Sequence, residues 1–273
     1  MEGQNIWGLL YDFRKFAGLQ VFFQALFSND SLILIPEDAS LNDKVESLIE
    51  YGCTCLSGTP SLFRLLLMSD RASKIPLRRV TLGGEIVDQK IIDVIKKVWP
   101  AVKVTHIYAA TEFGVGFSVR DGKEGFPLEI LNSNEEIYFS IGADGHLFFH
   151  NRLKNQSADT GDLVVLKNNR VFFNGRANGT ISVGGRKVSP EEIEQVLLTH
   201  ENVFACRVYS KKSSIIGDLV AADVVKSGLM DDRSLKTSLT VHCKNNLDAF
   251  KVPVFYNIVD SIDISSSGKL ARL

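Results

Sequence analysis

Four separated groups of residues have types and settings suited to chemistry. Gly83-Gly84-Glu85 closes a short apolar run, where bare backbone lets a flat ring approach closely. Tyr108 ends another such run and offers a ring to stack on that ligand. Just beyond it, Thr111 supplies a hydroxyl for a phosphate, and Glu112 a hard oxygen ligand for a divalent cation. Asp162, last of the turn-like Asp159-Thr160-Gly161-Asp162, is suited to accept hydrogen bonds from two neighbouring sugar hydroxyls. Lys269, on a glycine-flanked loop behind Gly268, can neutralise developing negative charge. Each has an ordinary alternative: Thr-Glu is commonly a helix cap, Gly-Gly a turn, and a near-terminal lysine a solvated charge.

The elements that must position these groups follow from periodicity. FAGLQVFFQALF (16–27) is apolar almost all round and predicts a buried helix, broken by Asn29-Asp30. SLILIP (31–36), CTCLSG (53–58), Arg79 to Leu82 and Val102 to Ile107 read as strands, separated by helical patterns at Leu41 to Tyr51, from Pro60, and from the cap Asp88 to Trp99. Alternation of this kind predicts a doubly wound, mostly parallel α/β sheet, with ligands beyond the carboxyl ends of its strands. From Phe117 to Phe173 short alternating runs and Gly/Asn turns predict a small antiparallel β subdomain. Gly184-Gly185 ends a short strand, and Ser189-Pro190-Glu191-Glu192 has the signature of a helix start. A strand, helix, strand, strand and helix, followed by YNIVD, then predict a small α+β domain at the C-terminal end. The expected division is a large domain of residues 1–175, with its α/β region at 1–116 and its β subdomain at 117–175, and a lid domain of residues 176–273.

A length of 273 residues, 45% hydrophobic and 23% charged, is ordinary for two soluble domains with proper cores. A formal net charge of −1 with scattered Lys and Arg argues against a nucleic-acid partner. No apolar run is long enough to span a membrane, and MEGQNIWGLLYDFRKF lacks a signal-peptide pattern. Cys53 and Cys55, two apart, are expected to share one face of a strand as small core residues; Cys206 and Cys243 are read the same way. With no disulfide framework, the expected compartment is the reducing cytoplasm.

The order of the four groups is more specific than any one of them. YAATEFG resembles the Tyr-Gly-x-Thr-Glu motif of the adenylate-forming superfamily, which includes acyl- and aryl-CoA ligases, peptide-synthetase adenylation domains and luciferases. DTGD matches its Thr-Gly-Asp, FNGRANGTISVGGRKVSPEEIEQVL resembles its hinge and first lid hairpin, and SSSGKLARL its C-terminal Gly-Lys motif. The resemblance covers nearly the whole chain and is closest in flavour to small ligases such as the o-succinylbenzoate–CoA ligases. It implies that Tyr108 and the Gly83–Glu85 turn hold adenine, Thr111 touches the α-phosphate and Glu112 carries Mg2+. It further implies that Asp162 binds ribose with Arg176 near it, and that Asn178 is the lid's pivot. Gly184-Gly185 would face the thiol, and Lys269 would bridge the acyl carboxylate and α-phosphate. The implied activity is ATP-dependent formation of acyl-AMP from a small carboxylic acid, then transfer to CoA or a carrier-protein thiol.

The resemblance is incomplete. The family is roughly twice as long, and the Gly-x-Pro-Lys phosphate loop of its N-terminal half is absent. LSGTPSLF (56–63) looks like the start of such a loop, but no Gly-Lys follows and a helix begins at Pro60. Ala109 replaces a usual glycine and Asn178 a usually charged pivot. Three readings stay open: a shortened or split ligase whose missing half comes from a second chain; a degenerate homologue that binds AMP, acyl-adenylate or a partner; and a fold whose motifs are only structural.

Overall fold

In the computed structural model, residues 4–36, 38–110, 113–213, 217–265 and 267–271 are described. The chain divides into two compact units, one formed by Met1–Glu124 with Asp263–Ala271 and the other by Gly125–Ile262.

The first unit alternates strand and helix: β1 (Ile6–Leu9), α1 (Phe16–Phe27), β2 (Ser31–Leu34), α2 (Leu41–Glu50), β3 (Cys55–Gly58), α3 (Pro60–Leu67), β4 (Arg79–Leu82), α4 (Gln89–Val98), β5 (Lys103–Ala110) and β6 (Gly114–Val119). The sheet order is β2-β1-β3-β4-β5-β6. All its pairings are parallel except β5 with β6. Residues from Phe117, expected in the antiparallel subdomain, instead form part of β6, which closes this sheet as an antiparallel edge. Three helices start on side-chain caps: Ser40 accepts from Asp43 N, Thr59 from Leu62 N and Asp88 from Ile91 N.

Both sheet faces are covered. Trp7, Leu9 and Cys55 pack with Val21 and Ala25 of α1, while Leu48, Phe63, Leu66, Ile92 and Ile95 of the other helices build the larger core. Gly8 points to that second side, where a Cβ would lie 2.6 Å from Leu48 Cδ2. Two expectations are corrected here. α1 is not buried all round: Gly18, Val21 and Ala25 are buried, but Phe22, Phe23, Leu26 and Phe27 are exposed, Phe27 by 83%. Cys53 and Cys55 are both buried but in different cores, because Cys53 precedes β3 and the strand alternation does not reach it.

The second unit contains β7 (Phe126–Pro127), β8 (Ile137–Ile141), β9 (His146–Asn151), β10 (Gln156–Lys167) and β11 (Arg170–Arg176), an antiparallel sheet in the order β7-β11-β10-β9-β8. Asn168 and Asn169, with φ of 48° and 58°, form the two-residue turn from β10 to β11, since asparagine accepts this left-handed conformation. The hairpin β12 (Ile181–Val183) and β13 (Arg186–Val188) leads into α5 (Pro190–Thr199). β14 (Val203–Ser213), β15 (Gly217–Lys226), α6 (Asp232–Asn246) and β16 (Phe255–Ile258) complete the α+β part. Ile193 and Leu197 of α5, Leu235 and Leu239 of α6, and Val208 and Val224 of the sheet β14-β15-β16 share one core. Among the described residues, no helix is long and apolar enough to cross a membrane.

Candidate functional site

In the first unit, the carboxyl ends of β3 and β4 are adjacent, with Gly58 paired to Leu82. Gly83 follows β4, and its N–H donates to Gly58 O at 3.2 Å. A side chain is excluded at Gly83, because a Cβ would sit 2.8 Å from Ile107 Cγ1. Gly84 has φ +80°, a conformation glycine adopts without steric cost. The turn between β4 and α4 therefore presents bare backbone, as expected from Gly83 and Gly84.

Glu85 does something the sequence did not reveal. One carboxylate oxygen accepts from Ser61 N, in the first turn of α3, at 3.0 Å; the other accepts from Leu270 N at 2.6 Å. The turn is thus tied to the C-terminal segment across 185 positions of sequence. That segment is a tight hairpin: Ser265 N donates to Lys269 O and Gly268 N to Ser265 O, both at 2.8 Å, and Gly268 turns it with φ +72°. Gly268 is buried against Tyr11, whose ring lies 3.1 Å from where a Gly268 Cβ would be. Burial, reinforced by the negative charge of Glu85, pushes the Tyr11 hydroxyl up from its ordinary pKa. The Thr59 hydroxyl, also the cap of α3, donates to Gly268 O. Lys269 itself is exposed, and its Cε lies 3.3 Å from the position of a Cβ on Gly84. The structure therefore brings Lys269 to the Gly83–Glu85 turn.

Tyr108 sits on β5 opposite Phe117 of β6, and their rings stack at 5.2 Å; Phe113 is 5.7 Å away. Thr111 and Glu112 lie outside the described residues. Among the described residues no group of three His, Cys, Asp or Glu side chains converges as a metal site. A magnesium ion does not require one, since it is commonly held by one or two carboxylates and substrate phosphates.

In the second unit, the turn-like Asp159–Asp162 is not a turn. It lies inside β10, where the register shifts against both β9 and β11. This bulge re-aims the strand. Gly161, at φ +74°, donates to Asp159 Oδ1 at 2.7 Å and, with His146 nearby, holds that carboxyl below its ordinary pKa. Asp162 N donates to the Thr160 hydroxyl, which donates to Leu147 O at 2.7 Å. Arg176, opposite Asp162 in the ladder, places Nε 3.5 Å from Asp162 Oδ1 and donates through Nη2 to Thr160 O at 3.1 Å. Its side chain is 61% exposed against 18% for that of the aspartate, so the arginine meets this carboxylate at a partly open surface.

Asn178 is exposed in the turn after β11, and φ is not positive there; among described non-glycine residues positive φ falls on Asn29, Asn132, Asn155, Asn168 and Asn169. Gly184 and Gly185, with φ of 56° and 81°, form the exposed two-residue tip of β12-β13, and a Cβ on either would meet nothing within 4 Å. Gly175 is held closely: a Cβ there would fall 2.0 Å from Ser189 Oγ, the cap of α5.

Residues 9–188 match the AMP-binding enzyme family, and residues 192–269 match the AMP-binding enzyme C-terminal domain. The mouse mitochondrial acyl-coenzyme A synthetase ACSM4 is 25% identical over 266 residues, covering 84% of this chain and 46% of that protein. The 2-succinylbenzoate–CoA ligase of Listeria monocytogenes serotype 4b (strain F2365) is 24% identical over 277 residues, covering 94% of this chain and 58% of that protein. The chain thus spans about half the length of the curated relatives it matches. Among solved structures, a benzoate CoA ligase from Burkholderia xenovorans LB400 superposes with a TM-score of 0.74 at 20% identity, covering 98% of this chain and 60% of that one. The anthranilate CoA ligase AuaEII in complex with anthranoyl-AMP gives 0.72 at 17%, covering 98% and 58%. At these identities the likeness is one of fold.

Proposed function

The chain belongs to the AMP-binding enzyme family, and from that premise we propose that it is part of an AMP-forming acid–thiol ligase. The ligase uses ATP to activate a small carboxylic acid as acyl-AMP and passes the acyl group to CoA or a carrier-protein thiol. The observation that carries this reading is the seat of Lys269: a lysine held beside a bare glycine turn, at the carboxyl ends of parallel strands, is what adenylate formation needs. The amine of Lys269 balances charge building up between the acid and the α-phosphate. Backbone at Gly83-Gly84-Glu85 and the ring of Tyr108 border adenine. Asp162, oriented by Arg176, accepts from the ribose hydroxyls. Thr111 is assigned to the α-phosphate and Glu112 to Mg2+ on their motif alone. Residues through 175 form the larger adenylate-binding domain and those from 176 the lid. Asn178 is its pivot, and the Gly184-Gly185 tip serves the thiol step. Hinge positions of this kind absorb backbone rotation rather than take part in chemistry.

Phe113 and Phe117 around Tyr108 favour an apolar or aromatic acid. The four cysteines, buried free thiols, suit a cytoplasmic setting. The family's phosphate loop is assigned to polypeptide outside these residues, either the same protein or a second chain. The strand end where LSGTPSLF resembles that loop is instead the cap and first turn of α3, which supports this assignment. It also favours a second reading, a homologue that binds AMP or acyl-adenylate without turnover. Calorimetry is expected to give tighter binding of AMP than of ATP to this chain; tighter ATP binding would contradict the assignment. Pyrophosphate release across a panel of carboxylic acids, with and without a supplied N-terminal half, separates the two readings: release dependent on one acid supports the ligase, and AMP binding without release supports the homologue.

A further inference from the structure

Two hydrogen bonds bracket Lys269 in the chain. On one side the Gly268 carbonyl accepts from the Thr59 hydroxyl; on the other the Leu270 N–H donates to the Glu85 carboxylate at 2.6 Å. Both partners belong to the start of α3 or touch it. Thr59 is its cap, through Leu62 N at 3.0 Å, and the second oxygen of Glu85 takes Ser61 N in its first turn at 3.0 Å. A helix start offers unpaired N–H groups and a favourable field for a carboxylate, so Glu85 is well anchored there. Thr59 is 1% exposed, and its hydroxyl serves both the helix and the hairpin. Gly268 adds a third restraint: it is buried, its φ of +72° suits glycine, and a Cβ there would crowd the Tyr11 ring at 3.1 Å. The backbone on both sides of Lys269 is thereby fixed, while the side chain stays exposed over Gly84.

We propose that Thr59 and Glu85 form a two-point clamp that seats the Gly268–Leu270 backbone and so positions the Lys269 amine for adenylate formation. They are positioning residues: neither needs to touch the nucleotide. This assigns the strand end around Thr59 a task as the receptor of the C-terminal segment, and it assigns the Glu85 side chain to that segment rather than to adenine. The proposal rests on the ligase reading for its consequence in catalysis, but its structural content stands by itself.

Hydrogen–deuterium exchange on the full chain reads the clamp directly. Glu85→Leu keeps the bulk but removes both accepting oxygens. Exchange at the Leu270 amide is expected to rise by about tenfold or more, as for loss of a hydrogen bond to a charged acceptor, while amides of β3 and β4 keep their protection. Thr59→Val should loosen the hairpin likewise, and Thr59→Ser, which retains the hydroxyl, should restore it. In the Thr59→Val protein, ATP–pyrophosphate exchange should fall by about tenfold or more, as for misplacing a group that stabilises developing charge, while AMP affinity is unchanged. An unaltered Leu270 amide, or acceleration spread equally through the sheet, would overturn the clamp. So would loss of AMP affinity in step with exchange. If the unsubstituted chain, supplied with an N-terminal half, exchanges no pyrophosphate, the ligase reading fails instead, and the amide data alone decide the clamp.

Discussion

Asp162 and Glu85 show how differently two acidic residues at loop-like positions can be used. Asp162 is held by an arginine 3.5 Å away at a partly open surface, whereas both Glu85 oxygens accept backbone N–H groups. Replacing Asp162 by Ala is expected to weaken AMP binding by about 1.5–3 kcal/mol, as for hydrogen bonds to a charged group, without lowering thermal stability. Titration calorimetry checks it, and unchanged affinity would remove the ribose assignment. The residue types at these positions were legible in the sequence. Their partners were not, because a contact spanning 185 positions leaves no trace in local periodicity. Thr59 is opaque for the same reason: a Thr-Pro pair announces a helix cap, which it is, and says nothing of a second bond to Gly268.

At the scale of elements, caps and turns carried the strongest local signals. Ser189 caps α5 through Glu192 N and Pro190 follows at the first helical position, both as read from residue order, while Gly184-Gly185, read there only as a strand end, forms the tip of a two-residue hairpin. Ser189→Ala should destabilise the unit by about 1 kcal/mol through loss of the cap, measured as a lower midpoint in urea; an unchanged midpoint would show that the helix start is held by packing alone. Glycine and acidic residues mark turns by composition, so the Asp159–Asp162 stretch reads as a turn in the sequence. Here they mark a bulge that β9 and β11 pin within a long strand. β6 was likewise hidden, since alternating residues do not tell which sheet a strand joins.

At the scale of the whole molecule, the alternating order of the first unit and the short-strand pattern of the second were readable, and both appear in the fold. The outer face of α1 was not. An all-apolar helix predicts burial on every side, yet only one side of α1 packs, and Phe22, Phe23 and Phe27 lie against one another on the other. A bare aromatic row of this kind binds apolar dyes. Phe23→Lys combined with Phe27→Lys should lower fluorescence of a bound apolar dye severalfold and leave the melting temperature within a few degrees, because exposed side chains contribute little to stability. A collapse in melting temperature would place those rings in the core after all.

Lys269, seated beside the Gly83–Glu85 turn, is proposed to act on the adenylate and not on the fold. The most direct test is to measure pyrophosphate exchange and AMP affinity side by side for the unsubstituted protein and Lys269→Ala, each supplied with an N-terminal half. Exchange lost by at least about a hundredfold, as for removal of a group that stabilises charge in the transition state, with AMP affinity kept, is the predicted result. Equal loss of both, or exchange that survives the substitution, would contradict it.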